Sequence, residues 1–185
     1  MEEFISTKIS EIGKVITGKT PPTMNRENYG GEYLFISPNE LHDGYKIETA
    51  EKTITEAGIN SIKNNIIEGI SVLVGCIGWD MGNVAMVHQK CATNQQINAI
   101  TNFNDKYDPY YVYYWLTQKK DYLFSIASVT RTPILSKSTF EDIEIPIPSK
   151  AKQIKISHVL KKIDDKIQTN KKINDNLRHQ VSTVA

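Results

Sequence analysis

Between Lys150 and Val181 the chain contains neither glycine nor proline, and apolar residues recur there at helical spacing. Ile156, Leu160, Ile163 and Ile167 step by four, three and four, and the register continues through Asn170 and Asn174 to Leu177 and Val181. That period predicts one long helix with a coiled-coil-type seam carrying two polar positions. About 30 residues at about 1.5 Å each make a rod of roughly 45 Å. A rod projecting from a globule cannot bury such a stripe by itself and needs a partner helix. The expected dimer interface is therefore Ile156, Leu160, Ile163, Ile167, Leu177 and Val181, with Asn170 and Asn174 setting the register.

Charge divides the chain at the same place. From Ser149 onward there are nine basic and three acidic residues, whereas residues 1–148 hold thirteen basic and eighteen acidic ones. Pro146 and Pro148 also stand at this boundary, so residues 1–148 read as one domain and 149–185 as a spacer and dimerisation helix. With 39% apolar and 23% charged residues and a net charge of +1, the chain is neither disordered nor a disulfide scaffold. The acidic start, Met1-Glu2-Glu3, predicts no signal peptide. The charge-free apolar stretch Gly69–Trp79 is 11 residues, too short to span a bilayer. Cys76 and Cys91 have no second pair, which argues against a zinc cluster or disulfide framework and for a reducing cytoplasm.

Residues 1–148 read as mostly β. Residues 1–17 alternate loosely and fit either strand or short helix, and Gly18–Asn25, with two prolines, reads as a loop. Strands are expected at 33–37, 70–75, 83–88 and 96–101, each a β-branched or aromatic run between breaks. Thr55 reads as the N-cap of a short helical turn. Asp108 and Pro109 read as the N-cap and first residue of a helix running to about Ala127. Ser138 to Glu141 fits a capping box. Residues 144–148 alternate with period two, and their prolines confine them to a sheet edge. The fold class expected is α+β, a mostly-β globule with a few helices followed by a long coiled-coil-forming helix.

Catalytic signatures are absent from this reading. No glycine-rich loop precedes a Lys-Ser/Thr pair, and His42, His88, His158 and His179 lack metal-ligand spacing. Asp108-Pro109-Tyr110-Tyr111 resembles the Asp-Pro-Pro-Tyr motif of amino-methyltransferases. Its second proline is missing and no dinucleotide-type glycine turn precedes it, and helix capping accounts for the same residues. No bound cofactor or metal is expected, and the chain reads as non-catalytic.

The order of motifs resembles the specificity subunit of type I restriction-modification systems, with one target-recognition domain and one conserved spacer helix. The residues that carry the resemblance begin with Gly18-Lys-Thr-Pro21, Thr55-Glu-Ala-Gly58 with Ser61, Gly69-x-x-Val72-Leu73 with Ile77-Gly78, and Asn94-Gln95. They continue in Ile134-Leu-Ser, Phe140-x-x-Ile143-x-Ile-Pro-Ile-Pro148, Gln153-x-x-Ile156-x-x-x-Leu160 and Asp164-x-x-Ile167. Family members usually carry two such domains and two helices, so the resemblance implies a half-subunit. It implies antiparallel pairing of two copies through residues 150–181 and a split palindromic DNA target. It further implies methyltransferase subunits that supply S-adenosylmethionine and base flipping, and a translocating endonuclease subunit; ATP and Mg²⁺ are expected on the partners. A truncated specificity subunit acting only as an interaction or regulatory protein is the alternative.

Base reading needs hydrogen-bonding side chains on exposed loops. The candidates are Lys19, Asn25 and Arg26 on the Gly18 loop, Trp79 and Asn83 between two expected strands, and Thr130, Arg131 and Thr132 after the long domain helix. Asn94-Gln95 reads as a loop-fixing pair, and the aromatic run from Tyr110 to Trp115 reads as core. The acidic balance of residues 1–148 lacks the usual basic footprint of a DNA binder, so weak and strongly salt-dependent binding is expected of the isolated chain.

Overall fold

The computed structural model describes residues 4–42, 45–129 and 131–184, with side chains in the last helix described as far as Arg178. The ambiguous N-terminal stretch contains both alternatives: strand β1 (Ile5–Lys8), a single helical turn α1 (Ile9–Ile12) and strand β2 (Lys14–Thr17). Ile9 and Ile12 are completely buried, which is why four residues with little helical propensity hold a turn there.

β2 opens a four-stranded antiparallel sheet in the order β2, β8 (Ile97–Thr101), β5 (Ser71–Gly75) and β6 (Val84–Val87). The central strands β5 and β8 are buried along their whole length because both faces are covered. Val72, Val74 and Ile100 join the core under the helices, while Leu73, Ile97 and Ala99 join a second core on the other face. Burial on both faces explains why these runs read as continuous rather than alternating hydrophobics. The second face is closed by a three-stranded sheet, β4 (Lys52–Ile54), β3 (Tyr29–Ile36) and β7 (Cys91–Thr93), in which β3 and β7 are parallel. β3 starts four residues before the expected strand, and β4 and β7, three residues each, carry too short a pattern to stand out.

Thr55 caps α2 (Glu56–Ser61) as expected, its Oγ1 accepting from the Gly58 N–H at 3.2 Å. Asp108 caps α3 (Pro109–Thr117), but the expected single helix to Ala127 is two: the chain breaks at Gln118-Lys119 and resumes as α4 (Lys120–Ser125). The break lets α4 cross the β5–β6 hairpin, where the Lys120 Nζ reaches Asp80 and Asn83 at 3.1 and 3.0 Å. The short helix α5 (Lys137–Glu141) is capped by Ser136 rather than Ser138, since it is the Thr139 N–H that reaches the Ser136 Oγ. Between α4 and α5 lies a small hairpin, β9 (Ser128–Val129) and β10 (Pro133–Ile134). Among the described residues β11 (Glu144–Ile147) pairs only with β1, so the proline at 146 sits on an edge, as its sequence required.

The last element, α6 (Lys150–Val184), does not project freely from the globule. Gln153 and Ser157 are buried, and Ile156 and Leu160 pack against the core beneath α3. Farther along, Tyr114 and Tyr45 donate hydrogen bonds to Asp164 and Asp165, and Lys172 pairs with Glu48 at 3.1 Å. About five turns of α6 therefore lie along its own domain.

Candidate nucleic-acid interface

One end of the four-stranded sheet gathers the loops that hold most of the candidate contacts. β2 leaves it at Thr17, β8 enters at Ile97, β5 leaves at Gly75 and β6 enters at Val84. Four strands at about 4.8 Å spacing make this edge about 14 Å wide. The B-DNA major groove is about 12 Å wide.

The Gly18 loop is moored at its base. A Cβ on Gly18 would stand 2.0 Å from the Asn94 carbonyl oxygen and 2.1 Å from the Thr93 Oγ1, so only glycine fits. Asn94 holds the facing turn with two bonds, accepting from the Gln96 N–H and donating to the Gln96 Oε1, which bears out its structural role. Thr20 donates to the Gln95 Oε1, and the Tyr29 hydroxyl donates to the Pro21 carbonyl at 2.7 Å. On this fixed loop Lys19 is exposed. Asn25 and Arg26 lie where it runs toward β3, and the Asn25 Oδ1 is engaged in capping, accepting from the Glu27 N–H.

The β5–β6 connection is also tied by side-chain contacts. Gly78 and Gly82 have φ of +101° and +86°. Asp80 is shared between Lys120 and His42, and Lys120 holds its carboxyl below the usual range. Asn83 is a member of this lock: its Oδ1 accepts from Lys120, and its Nδ2 donates to the Asp80 carbonyl and meets His42. It is placed to brace the loop rather than to reach outward. Trp79, by contrast, is 70% exposed, with its ring 6.0 Å from that of Phe124. Arg131 and Thr132 are exposed at the tip of the β9–β10 hairpin, which is tied to Trp79's loop by the Gly78 N–H bonding the Pro133 carbonyl. Thr130 lies outside the described residues.

The methyltransferase-like motif is structural. The Asp108 carboxylate caps α3 through the Tyr110 N–H and accepts from the Ser157 hydroxyl on α6. Tyr111 donates to the Pro146 carbonyl, and Tyr111, Tyr113 and Tyr114 are buried in the core, as expected of the aromatic run. Among the described residues no three His, Cys, Asp or Glu side chains are placed to hold a metal ion, and no helix is long and apolar enough to cross a membrane. Burial pushes both thiols, Cys76 and Cys91, up to about 12.

α6 offers a second surface. With Gln153, Ser157, Leu160 and Asp164 turned to the globule, an outward stripe farther round the helix presents Val159, Ile163, Ile173 and Leu177, each 50–55% exposed. These residues occupy a and d positions of one heptad register, with Lys166 and Asn170 at its centre. The open stripe thus differs from the expected one: Ile156 and Leu160 are covered within the chain, and Val159 and Ile173 take their place. Ile167 remains 47% exposed, Asn170 and Asn174 are exposed, and Val181 lies outside the described side chains.

The chain is thus an α+β globule with three packed cores and tied loops at one sheet end, seated on a single long helix. Residues 1–179 match the family described as the type I restriction modification DNA specificity domain. The chain is 32% identical over 171 residues to the type I restriction enzyme MjaIX specificity subunit of Methanocaldococcus jannaschii, covering 91% of this chain and 39% of that protein. It is 36% identical over 145 residues to the type I restriction enzyme HindI specificity subunit of Haemophilus influenzae, covering 77% and 31%. In fold it is similar to the HsdS subunit of Thermoanaerobacter tengcongensis, with a TM-score of 0.68, 17% identity, and coverage of 92% of this chain and 39% of that one. A chain from a study of the assembly and conformational transition of the type I R-M system gives 0.70 at 16% identity, covering 98% and 43%. The chain belongs to the type I restriction-modification specificity-subunit family and holds one recognition domain of it. It spans about two fifths of the length of two of the curated relatives it matches.

Proposed function

We propose that this chain is a non-catalytic half-site reader in which residues 1–148 contact double-stranded DNA and residues 149–185 form the spacer and dimerisation helix. The open face of α6 carries this reading. Four half-exposed aliphatic residues in heptad register are what a second α6 would cover. In a two-fold antiparallel pair Val159 stands opposite Leu177, Ile163 opposite Ile173, and Lys166 opposite Asn170, so apolar meets apolar throughout and the polar residues meet at the centre. Such a pair places two identical readers in opposite orientation, which matches a split palindrome. Methyltransferase subunits, bringing S-adenosylmethionine, and an endonuclease subunit using ATP and Mg²⁺ dock on this dimer.

At the reading end, Lys19, Arg26, Trp79, Arg131 and Thr132 are the groups available to DNA, with Thr130 beside them in sequence and Asn25 and Asn83 bracing the loops. The test is to reconstitute the chain with the methyltransferase subunits of its system and sequence the duplexes methylated from a random pool. Two inverted copies of one short motif at a constant separation are expected. Methylation of no sequence class would overturn the reading in favour of an interaction protein. Exchanging Lys19, Arg26 or Arg131 for alanine is expected to lower the slope of log binding constant against log salt by about one each.

A further inference from the structure

α6 meets its own domain through two adjacent carboxylates and two tyrosines from distant parts of the chain. Tyr114, in α3, donates to the Asp164 Oδ2 at 2.8 Å, and Tyr45, in the segment between β3 and β4, donates to the Asp165 Oδ1. The two rings are themselves locked by a third, Tyr113, whose centroid lies 6.1 Å from that of Tyr45 and 4.9 Å from that of Tyr114. All three tyrosines are buried, so their rings are fixed posts and only the hydroxyls reach the helix. Burial and the carboxylates together raise both hydroxyls above the ordinary phenol range, which keeps them donors. The helix also meets the domain through Gln153 and Ser157 near its start, the packing of Ile156 and Leu160, the Lys161 ammonium 4.7 Å from the Tyr110 ring, and the exposed Lys172–Glu48 pair.

We propose that Tyr45–Asp165 and Tyr114–Asp164 are positioning residues that set the angle between the reading globule and the rod, and through it the separation of the two DNA half-sites. Consecutive helix residues diverge by about 100°, so bonds at 164 and 165 restrain α6 on two sides of its axis. From Asp165 to Val184 the helix runs on for about 28 Å. A tilt of about 10° there displaces its far end by about 5 Å, roughly one and a half base pairs at about 3.4 Å each. Holding a target spacing to one base pair therefore demands a restraint of this kind, which packing of Ile156 and Leu160 at one end of the helix does not supply. The consequence for DNA rests on the half-site reading proposed above; the geometry of the restraint does not.

The test uses the full chain with Lys63→Cys and Asn176→Cys carrying spin labels, the native Cys76 and Cys91 being buried, and diluted with unlabelled chain so that within-chain distances are read. The parent is expected to give one narrow distance. Tyr45→Phe with Tyr114→Phe is expected to at least double its width with helicity unchanged, while Asp164→Asn with Asp165→Asn, which keeps acceptor oxygens, stays narrow. Should the phenylalanine pair fail to fold, Asp164→Ala with Asp165→Ala, which leaves the buried tyrosine rings in place, makes the same measurement. In the random-pool methylation the phenylalanine pair is expected to accept two or more spacer lengths where the parent accepts one. An unchanged distance width in the folded variant overturns the proposal. A parent that methylates nothing overturns the DNA reading instead, and the distances still decide the restraint.

Discussion

Leu160 and Ile163 stand three residues apart on α6, about 60° around its axis, and meet different surroundings: Leu160 packs against the core of its own domain, while Ile163 beside it is 52% exposed. One apolar stripe in the sequence is thus two surfaces in space. The difference separates folding from assembly. Ile163→Asp with Ile173→Asp is expected to halve the mass seen by light scattering and leave the melting midpoint within a few degrees. Leu160→Asp is expected to cost about 1–3 kcal/mol by denaturant titration, because it brings a charge against packed apolar surface. A dimer that survives the first double change has its interface elsewhere.

Gln153 joins helix to domain. It accepts from the Asp108 N–H at 2.8 Å and donates to the Pro148 and Lys106 carbonyls, with its own side chain almost wholly buried. Gln153→Leu leaves those backbone groups without partners and is expected to destabilise the chain by about 2–4 kcal/mol. Unfolding in urea reads this directly. Gln153→Glu is also expected to destabilise, since the carboxylate cannot donate.

Gly18 tests whether the reading loop must be fixed. Its hydrogen is replaced by a methyl in Gly18→Ala, and the Cβ then collides with the Asn94 carbonyl at 2.0 Å. Backbone on both sides must separate, at about 1–3 kcal/mol. DNA affinity is expected to fall more than tenfold while dimer mass is unchanged.

Glu40 makes stability pH-dependent. Burial pushes its carboxyl up, but hydrogen bonds from the Ser37 N–H and Oγ and the Glu51 N–H outweigh this and hold it below the ordinary glutamate value. A carboxylate whose pKa is lower folded than unfolded stabilises fully above the unfolded value and loses that contribution as pH falls through the folded one. The parent is therefore expected to lose stability more steeply than Glu40→Gln between neutral pH and pH 3. Parallel denaturation curves for the two would remove this role from Glu40.

Much of the fold was legible because its signals are local. Thr55 and Asp108 cap the helices they were expected to cap, since a cap is decided by a side chain and an N–H two or three residues on. The buried runs in β5, β6 and β8 declared themselves by β-branched content, and Pro146 marked its own strand as an edge. β4 and β7 did not, because three residues carry no period. The break at Gln118-Lys119 follows from the contact of Lys120 with Asp80 and Asn83, forty and thirty-seven residues away. The candidate site was partly legible: Lys19, Trp79 and Arg131 are exposed groups on loops, as the sequence led one to expect. That Asn83 is a brace depends on His42 and Lys120, which only folding brings to it. The tyrosine posts for α6 were missed outright, since their aromatic run reads as plain core and Tyr45 carries no pattern.

By itself the sequence determined that this chain has an α+β domain, a long amphipathic helix and the motif order of its family, because helical period, capping and edge chemistry act over a few residues. Tertiary structure decided which side of that helix faces its own domain and which is left open. Period states how apolar residues are spaced around an axis, and only the shape of the surface they meet states how the axis is turned.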